Sequence, residues 1–123
     1  MGTFSVDIEV GNPSQKEFQK LSAMVDTGAT FTVIPRNMLN ELGIEVIDRV
    51  PFELTDNQVR EFPVGEASLR LDNRERTVLV VFGPEGSTSL LGATALELFN
   101  RAIDPVHQEL VPVTAFLKSY LSR

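Results

Sequence analysis

The sequence contains no cysteine and a single histidine, His107. Without cysteine, the chain cannot form a disulfide bond, a thiolate zinc site or a cysteine nucleophile. One histidine is too few for the usual zinc site, and a Ser-His-Asp triad would depend on His107 alone. We therefore expect no metal and no cofactor, and we expect any catalysis to use carboxylates, hydroxyls, lysine, arginine or the main chain.

Basic residues and long apolar runs are also scarce. The 11 lysines and arginines are outnumbered by 17 aspartates and glutamates, which gives a net charge of −6. Because a negative chain is repelled by a phosphate backbone, we predict no nucleic-acid partner. No apolar run reaches the roughly 18 residues of a membrane span, so we predict no membrane partner. The N-terminal segment MGTFSVDIEV lacks the basic region of a secretory signal, and we expect a cytoplasmic protein.

The length and the overall composition are those of an ordinary globular domain. We predict a single domain over residues 1–123. Apolar residues make up 42% of the chain and charged residues 23%, which argues against a disordered or fibrous protein. A chain of this length buries about two-thirds of its unfolded surface, so we expect a hydrophobic core without disulfides.

Short segments of alternating or continuous apolar residues predict a mainly β chain. We predict strands over residues 4–10, 18–25, 31–34, 67–71 and 78–82, a hairpin of 52–54 with 59–62, and a closing hairpin over 106–113 with His107 in a surface turn. We predict helices from Pro35 to Leu42 with Gly43 as the terminator, from Thr94 to about Phe99 because Thr94 and Glu97 have capping-box spacing, and over 115–121. This pattern is typical of a barrel or a sandwich-like domain.

Residues 24–30, with the sequence MVDTGAT, are the most informative segment. An apolar strand leads Asp26 directly into a turn at Gly28, and a carboxylate at the end of a buried strand is costly unless something satisfies it. Gly28 permits a backbone shape that a Cβ atom would forbid. The hydroxyls of Thr27 and Thr30 can bond to the main chain or to a carboxylate. A purely structural interpretation is an Asx turn that closes the strand.

Three functional interpretations of this segment compete. The phosphate-binding loop of the actin and hexokinase class also begins apolar-Asp-x-Gly-x-Thr, but that fold needs two large lobes. The aspartyl-phosphate loop of haloacid-dehalogenase enzymes reads Asp-x-Asp-x-Thr, and here Gly28 replaces its second acid. The third interpretation is an aspartic peptidase, which requires a carboxylate in a glycine turn.

Two spaced blocks favour the third interpretation. The first is AMVDTGAT at residues 23–30 and the second is LLG at residues 90–92. With these blocks the sequence resembles the retropepsin-like, or clan AA, single-domain aspartic proteases, and the resemblance covers about residues 4–99. The hairpin tip at residues 55–58 stands where that family carries its flap. The resemblance implies a mainly β, closed β-barrel-like acid-protease (retropepsin) fold with one to three short helices.

The sequence departs from the retroviral members of the family at two places. Those enzymes pair an acid soon after the Asp-Thr-Gly-Ala motif with an arginine just after the second glycine. Here the corresponding positions are Thr30 or Phe31 and Ala93, so that charged brace is absent. Asp56 and Asn57 replace the glycine-rich tip of the viral flap.

The resemblance also implies which residues act. Asp26, Thr27 and Gly28 are the expected catalytic residues, with Thr27 bracing the two loops of a dimer and Gly28 shaping the loop. The expected substrate-binding residues are Ala29, Val33, Leu54, Thr55, Asp56, Asn57, Gln58 and Leu91.

The sequence has one D-T-G motif, whereas peptide hydrolysis of this type uses two carboxylates across one water. A monomer cannot build that pair, so we expect a homodimer with Asp26 from each chain on a twofold axis. The predicted function is an aspartic endopeptidase that cleaves peptide or protein substrates with apolar side chains beside the cut. Two alternatives stay open: a non-catalytic retropepsin-like domain for dimerisation or peptide binding, and a monomer in which Asp26 is structural.

Overall fold

The computed structural model describes residues 3–15 and 17–120. The strands are β1 (Ser5–Gly11), β2 (Phe18–Val25), β3 (Thr32–Pro35), β4 (Asp48–Glu53), β5 (Val59–Leu71), β6 (Arg74–Gly83), β7 (Leu90–Leu91), β8 (Arg101–Asp104) and β9 (Glu109–Pro112), and the helices are α1 (Arg36–Glu41) and α2 (Ala93–Leu98). Within the described residues no helix is long and apolar enough to cross a membrane.

Six of the strands close into a ring. The order of pairing is β1, β2, β7, β3, β6 and β5, and β5 returns to β1. The β2–β7 and β3–β6 pairs are parallel, whereas the other pairs of the ring are antiparallel. Strand β4 extends the sheet as a hairpin partner of β5, and β8 and β9 form a separate two-stranded sheet. The expected mainly β, barrel-like fold with a few short helices is confirmed.

The hydrophobic core fills the interior of the ring. Alternation along β1 sends Ile8 and Val10 inward, while Asp7 points to solvent. The most completely buried large side chains of the core are Phe99, Ile8, Ile34, Leu39, Leu69, Leu91, Val10, Val64 and Val80. Because burial of each such side chain contributes about 1.5–3 kcal/mol, this core is the main source of folding free energy.

The two helices pack on the ring, and each starts one residue away from its predicted position. Helix α1 begins at Arg36 with Pro35 as its N-cap, one residue later than predicted. Gly43, with a φ of +74°, follows its end as expected. Helix α2 begins at Ala93 with Gly92 as its N-cap, and no side chain caps it. The predicted capping box is therefore wrong, because contacts with the segment after Asp26 fix the start of α2 one residue before Thr94.

The C-terminal region also differs from the prediction. The closing hairpin starts at Arg101, earlier than predicted, and His107 lies in its exposed turn. The predicted helix over 115–121 is wrong for residues 115–120, which form only a turn at 118–120; Leu121 lies outside the described residues. A short helix gains its stability from an apolar face packed on a core, and this tail has no such contact because its side chains are exposed.

Candidate active site

The D-T-G loop, residues 26–30, follows the buried end of β2. The backbone N–H of Asp26 donates to the Leu91 carbonyl at 3.0 Å, so the first residue of the loop still belongs to the ring. The N–H of Gly28 donates to Oδ1 of Asp26 at 2.9 Å, and the N–H of Ala29 donates to the Asp26 carbonyl at 3.2 Å. These bonds fold the loop back on its own aspartate and fix the direction of the carboxylate.

Main-chain bonds tie the loop to the start of α2. The N–H of Ala93 donates to the Ala29 carbonyl at 2.8 Å, and that of Thr94 donates to the Thr30 carbonyl at 3.0 Å. The N–H of Gly92 donates to Oγ1 of Thr32, a fully buried side chain, at 3.1 Å. These hydrogen bonds join the D-T-G loop to the start of α2. They lie where the sequence lacks the acid–arginine pair of the retroviral enzymes.

Gly92 is required by this close approach. A Cβ atom there would lie 2.5 Å from the carbonyl carbon of Phe31 and 2.8 Å from the Ala29 oxygen. Backbone atoms cannot move aside as the end of a side chain can, so a larger residue would push the helix off the loop.

A cleft of about 710 Å³ lies between the D-T-G loop and the β4–β5 hairpin. Its lining residues are Asp26, Gly28, Ala29, Thr30, Phe31, Val33, Val50, Pro51, Phe52, Glu53, Leu54, Thr55, Phe62, Val81, Gly83, Pro84 and Leu90. The lining is mostly apolar, and Asp26 and Glu53 are its ionisable residues. The volume and the lining suit an extended peptide with apolar side chains.

The β4–β5 hairpin, which we call the flap, forms one wall of this cleft. It pairs over six residues on each strand, from Asp48 opposite Val64 to Glu53 opposite Val59, so it is longer than the sequence predicted. Its tip is a tight turn in which the Gln58 N–H donates to Oδ1 of Asp56 at 3.0 Å.

A sequence model of the family described as "gag-polyprotein putative aspartyl protease" matches residues 15–98 of the chain. The chain belongs to this aspartyl protease family. The match spans the D-T-G loop, the flap, the LLG block and α2, which are the parts that build the cleft. No curated protein matches the chain in sequence.

Solved structures share the fold of this aspartyl protease family member. The simian foamy virus protease is 19% identical with a TM-score of 0.53, and the match covers 76% of this chain and 94% of that one. A retropepsin-like aspartic protease from Rickettsia conorii is 22% identical with a TM-score of 0.52, covering 84% and 88%. A Legionella pneumophila protein of unknown function is 21% identical with a TM-score of 0.53, covering 90% and 95%. At these identities, the likeness establishes the retropepsin-like fold.

The structure brings most, but not all, of the expected site residues of this aspartyl protease domain to the cleft. Those that line it are Asp26, Gly28, Ala29, Val33, Leu54 and Thr55. Asp56, Asn57 and Gln58 are exposed at the flap tip and do not line the cleft. Their expected contact with a substrate would require the tip to close.

Two further expected residues lie elsewhere. Thr27 is exposed and does not line the cleft; it borders a depression that it shares with Ile103 of β8. Leu91 is fully buried in the core, and its neighbour Leu90 lines the cleft instead. The assignment of the Leu91 side chain to the cleft wall is therefore corrected to Leu90, because alternation along β7 turns the two leucines to opposite sides.

An aromatic cluster in the cleft was missed by the sequence analysis. The rings of Phe31 and Phe52 meet edge to face with centroids 5.7 Å apart, and Phe52 lies 6.0 Å from Phe62. This cluster joins the base of the flap to the segment after the D-T-G loop. The flap side of this cluster could have been predicted, because the alternation of Val50, Phe52 and Leu54 is typical of a strand with one apolar face.

Outside the cleft, three ionisable side chains come together in the β8–β9 hairpin. Nδ1 of His107 lies 2.8 Å from Oδ2 of Asp104, and the ligand atoms of Asp104, His107 and Glu109 all lie within 4.8 Å of one another. The hydrogen bond from the His107 side chain, and then that from its backbone N–H, lower the pKa of the Asp104 carboxyl. These bonds shape the hairpin turn.

Proposed function

We propose that this chain is an aspartic endopeptidase that acts as a homodimer, with Asp26 of each subunit forming the catalytic pair. The observation that carries the proposal is a D-T-G carboxylate held at an apolar cleft of peptide size. The sequence contains this motif once, and peptide hydrolysis of this kind needs two carboxylates. A twofold axis beside the D-T-G loop would bring the second one.

In the proposed reaction, the two Asp26 carboxylates share one proton, because two close negative charges cannot both form easily. The ionised carboxylate takes a proton from the bound water while the protonated one gives its proton to the substrate carbonyl oxygen. The water oxygen bonds to the carbonyl carbon. The C–N bond then breaks as the amine takes a proton from the protonated carboxyl of the pair. A hydroxyl of the tetrahedral intermediate gives its proton to the other carboxylate, so the carboxylic acid product forms and the pair again holds one proton.

The loop contacts support distinct roles for its residues. The Gly28 N–H that donates to Oδ1 would keep each Asp26 turned toward the water. Thr27 is exposed and lies outside the cleft lining, which suits a contact with the D-T-G loop of the second subunit.

The flap offers the substrate a strand edge. Strand β4 stands at the end of the sheet order and, within residues 3–15 and 17–120, pairs with β5 alone. Residues 50–55 line the cleft. An extended peptide could therefore add to the edge of β4 by main-chain bonds while its apolar side chains enter the cleft. Closure of residues 56–58 over the peptide would exclude water from the reacting atoms.

Cleavage of a mixed peptide library at pH 4 to 7 tests the proposal, with wild type compared to Asp26→Asn. We expect the variant to lose at least about 100-fold in kcat/KM, because it cannot form the shared-proton pair. Asp7→Asn is the matched control, since Asp7 is an exposed aspartate of β1 that does not line the cleft, and we expect it to keep activity. Cleavage by Asp26→Asn at the wild-type rate would refute the mechanism. A folded wild-type dimer that binds but never cleaves peptides would favour the non-catalytic peptide-binding alternative.

A further inference from the structure

One basic residue of the flap shares the side of the hairpin that covers the cleft. Cross-strand partners lie on the same side of a hairpin, and Val50 pairs with Phe62 while Phe52 pairs with Arg60. The rings of Phe52 and Phe62 meet on this side with centroids 6.0 Å apart, and both residues line the cleft. Arg60 therefore extends from the side of the flap that faces the cleft.

The guanidinium group of Arg60 is stacked at the edge of the cleft lining. Its Cζ atom lies 5.1 Å from the centre of the Phe62 ring. An arginine stacked on an aromatic ring keeps the N–H donors around its plane available for hydrogen bonds. Because the ring holds the guanidinium group in place, a ligand that binds to it pays less side-chain entropy than it would at a mobile arginine.

Arg60 has no acidic partner among residues 3–15 and 17–120. The other arginine of the flap is Arg49, which lies on the opposite side of the hairpin and pairs with Glu61 at 3.6 Å. The flap thus contains one arginine that is paired away from the cleft and one that is exposed beside the cleft and available to a ligand.

We propose that Arg60 binds an aspartate or glutamate side chain of the peptide substrate, so that the cleft selects peptides with an acidic residue near the apolar residue that fills it. This inference rests on the proposed function, because it names the substrate class of the same cleft. A guanidinium group can donate two parallel N–H bonds to one carboxylate. The ionisable residues that line the cleft, Asp26 and Glu53, are both acidic and repel a substrate carboxylate. Arg60 therefore determines where an acidic side chain is accepted.

Peptide binding to Asp26→Asn protein, measured by fluorescence anisotropy, tests the inference without cleavage. The labelled peptides have a central phenylalanine among alanines and serines, and each pair differs by glutamate or glutamine at one position. Both ends are blocked, so that the glutamate side chain is the only carboxylate. We expect the glutamate peptide of at least one pair to bind about fivefold more tightly, which is the size of effect that a partly exposed ion pair produces. Adding Arg60→Gln should abolish this preference, and adding Arg60→Glu should reverse it.

Arg49→Gln is the matched control, because Arg49 belongs to the same hairpin but lies on its other side. We expect it to keep the preference for glutamate. Both arginines are exposed, so all variants should keep the circular dichroism spectrum of the parent protein. A protein that binds the two peptides of every pair equally, that binds none of them, or that keeps the preference in Arg60→Gln would overturn the inference. A preference that appears only for peptides with a free C-terminal carboxylate would also overturn it.

Cleavage of the same peptides by the wild-type chain separates this inference from the proposed function. A preference for glutamate that depends on Arg60, in a protein that never cleaves these peptides, would support the inference and contradict the proposed function. Cleavage of both peptides of every pair with equal kcat/KM, in wild type and in Arg60→Gln alike, would do the reverse.

Discussion

The D-T-G loop and the flap tip use the same local chemistry but have different support. In both, an aspartate oxygen accepts from the N–H two residues later, Gly28 to Asp26 at 2.9 Å and Gln58 to Asp56 at 3.0 Å. The D-T-G loop is also bonded to β7 and to the start of α2, and Gly92 before α2 is bonded to Thr32 of β3. In the part of the chain that the structure describes, the turn bonds of the flap tip join residues 54–58 to one another, and the N–H of Leu54 donates to the Gln58 carbonyl. The same turn is thus bonded to neighbouring elements at the D-T-G loop, whereas at the flap tip it is held by bonds within the tip.

Gly92→Ala should show the largest effect, because it removes the space between the D-T-G loop and α2. The new Cβ atom would meet the backbone of Phe31 at 2.5 Å, so we expect a loss of about 3 kcal/mol in the free energy of unfolding. Urea denaturation measures it. Gly86→Ala is the control: its Cβ atom meets nothing within 4 Å, and only its φ of +77° costs about 1 kcal/mol. Equal losses in the two variants would mean that the D-T-G loop and α2 do not pack as closely at Gly92 as the 2.5 Å approach requires.

Thr32→Val tests the buried hydrogen bond from the Gly92 N–H to Thr32, which holds the start of α2 against β3. The substitution leaves the Gly92 N–H without its acceptor in a fully buried site, so we expect a loss of about 2 kcal/mol in urea denaturation. Thr55→Val, at the exposed flap, should change the free energy of unfolding by less than about 0.5 kcal/mol. A neutral Thr32→Val would contradict the contrast between the two turns.

Asp56→Ala should have a small effect on stability. The substitution removes a solvent-exposed turn bond that nothing outside the tip depends on, so we expect a change of less than about 0.5 kcal/mol in the free energy of unfolding. Thermal denaturation followed by circular dichroism is sufficient to measure it. A loss above 1.5 kcal/mol would show that the tip is anchored as firmly as the D-T-G loop.

The third aspartate turn, at Asp104, sets the smallest expected effect. The hydrogen bond from His107 lowers the pKa of Asp104, so the turn is stabilised at pH values above the ordinary carboxyl pKa. That stabilisation is lost as the pH falls through the lowered pKa. An NMR titration should find the Asp104 pKa below its ordinary value in wild type and higher in His107→Ala. An unchanged Asp104 pKa in His107→Ala would remove the role assigned to this bond.

The features that the sequence predicted well are local in the chain. The turn at Asp26 and the end of α1 at Gly43 depend on residues within a few positions, and both appear in the structure. The bond from Gly92 to Thr32 joins residues 60 positions apart, so no local pattern could reveal it. The same long-range packing explains why α2 begins at Ala93, one residue before the Thr94 start that capping-box spacing predicted.

The site residues show the same division between features that are local in the chain and features that depend on long-range packing. The D-T-G motif predicted Asp26 as the site carboxylate, and the structure places it in the cleft, whereas the apolar wall on the flap was not predicted. Alternation could not choose between Leu90 and Leu91, because a strand of two residues has no periodic pattern. The contact of Phe31 with Phe52 depends on how the flap sits over the loop, which only the folded chain decides.

The most direct test of the central claim is to mix wild-type chains with Asp26→Asn chains and to measure peptide cleavage. If each active site needs one Asp26 from each subunit, activity should fall as the square of the wild-type fraction at constant total protein. When half of the chains are Asp26→Asn, about one-quarter of randomly reassorted dimers keep both carboxylates, so activity should drop to about one-quarter. A linear fall to one-half would contradict the account, because each chain would then carry a complete active site of its own.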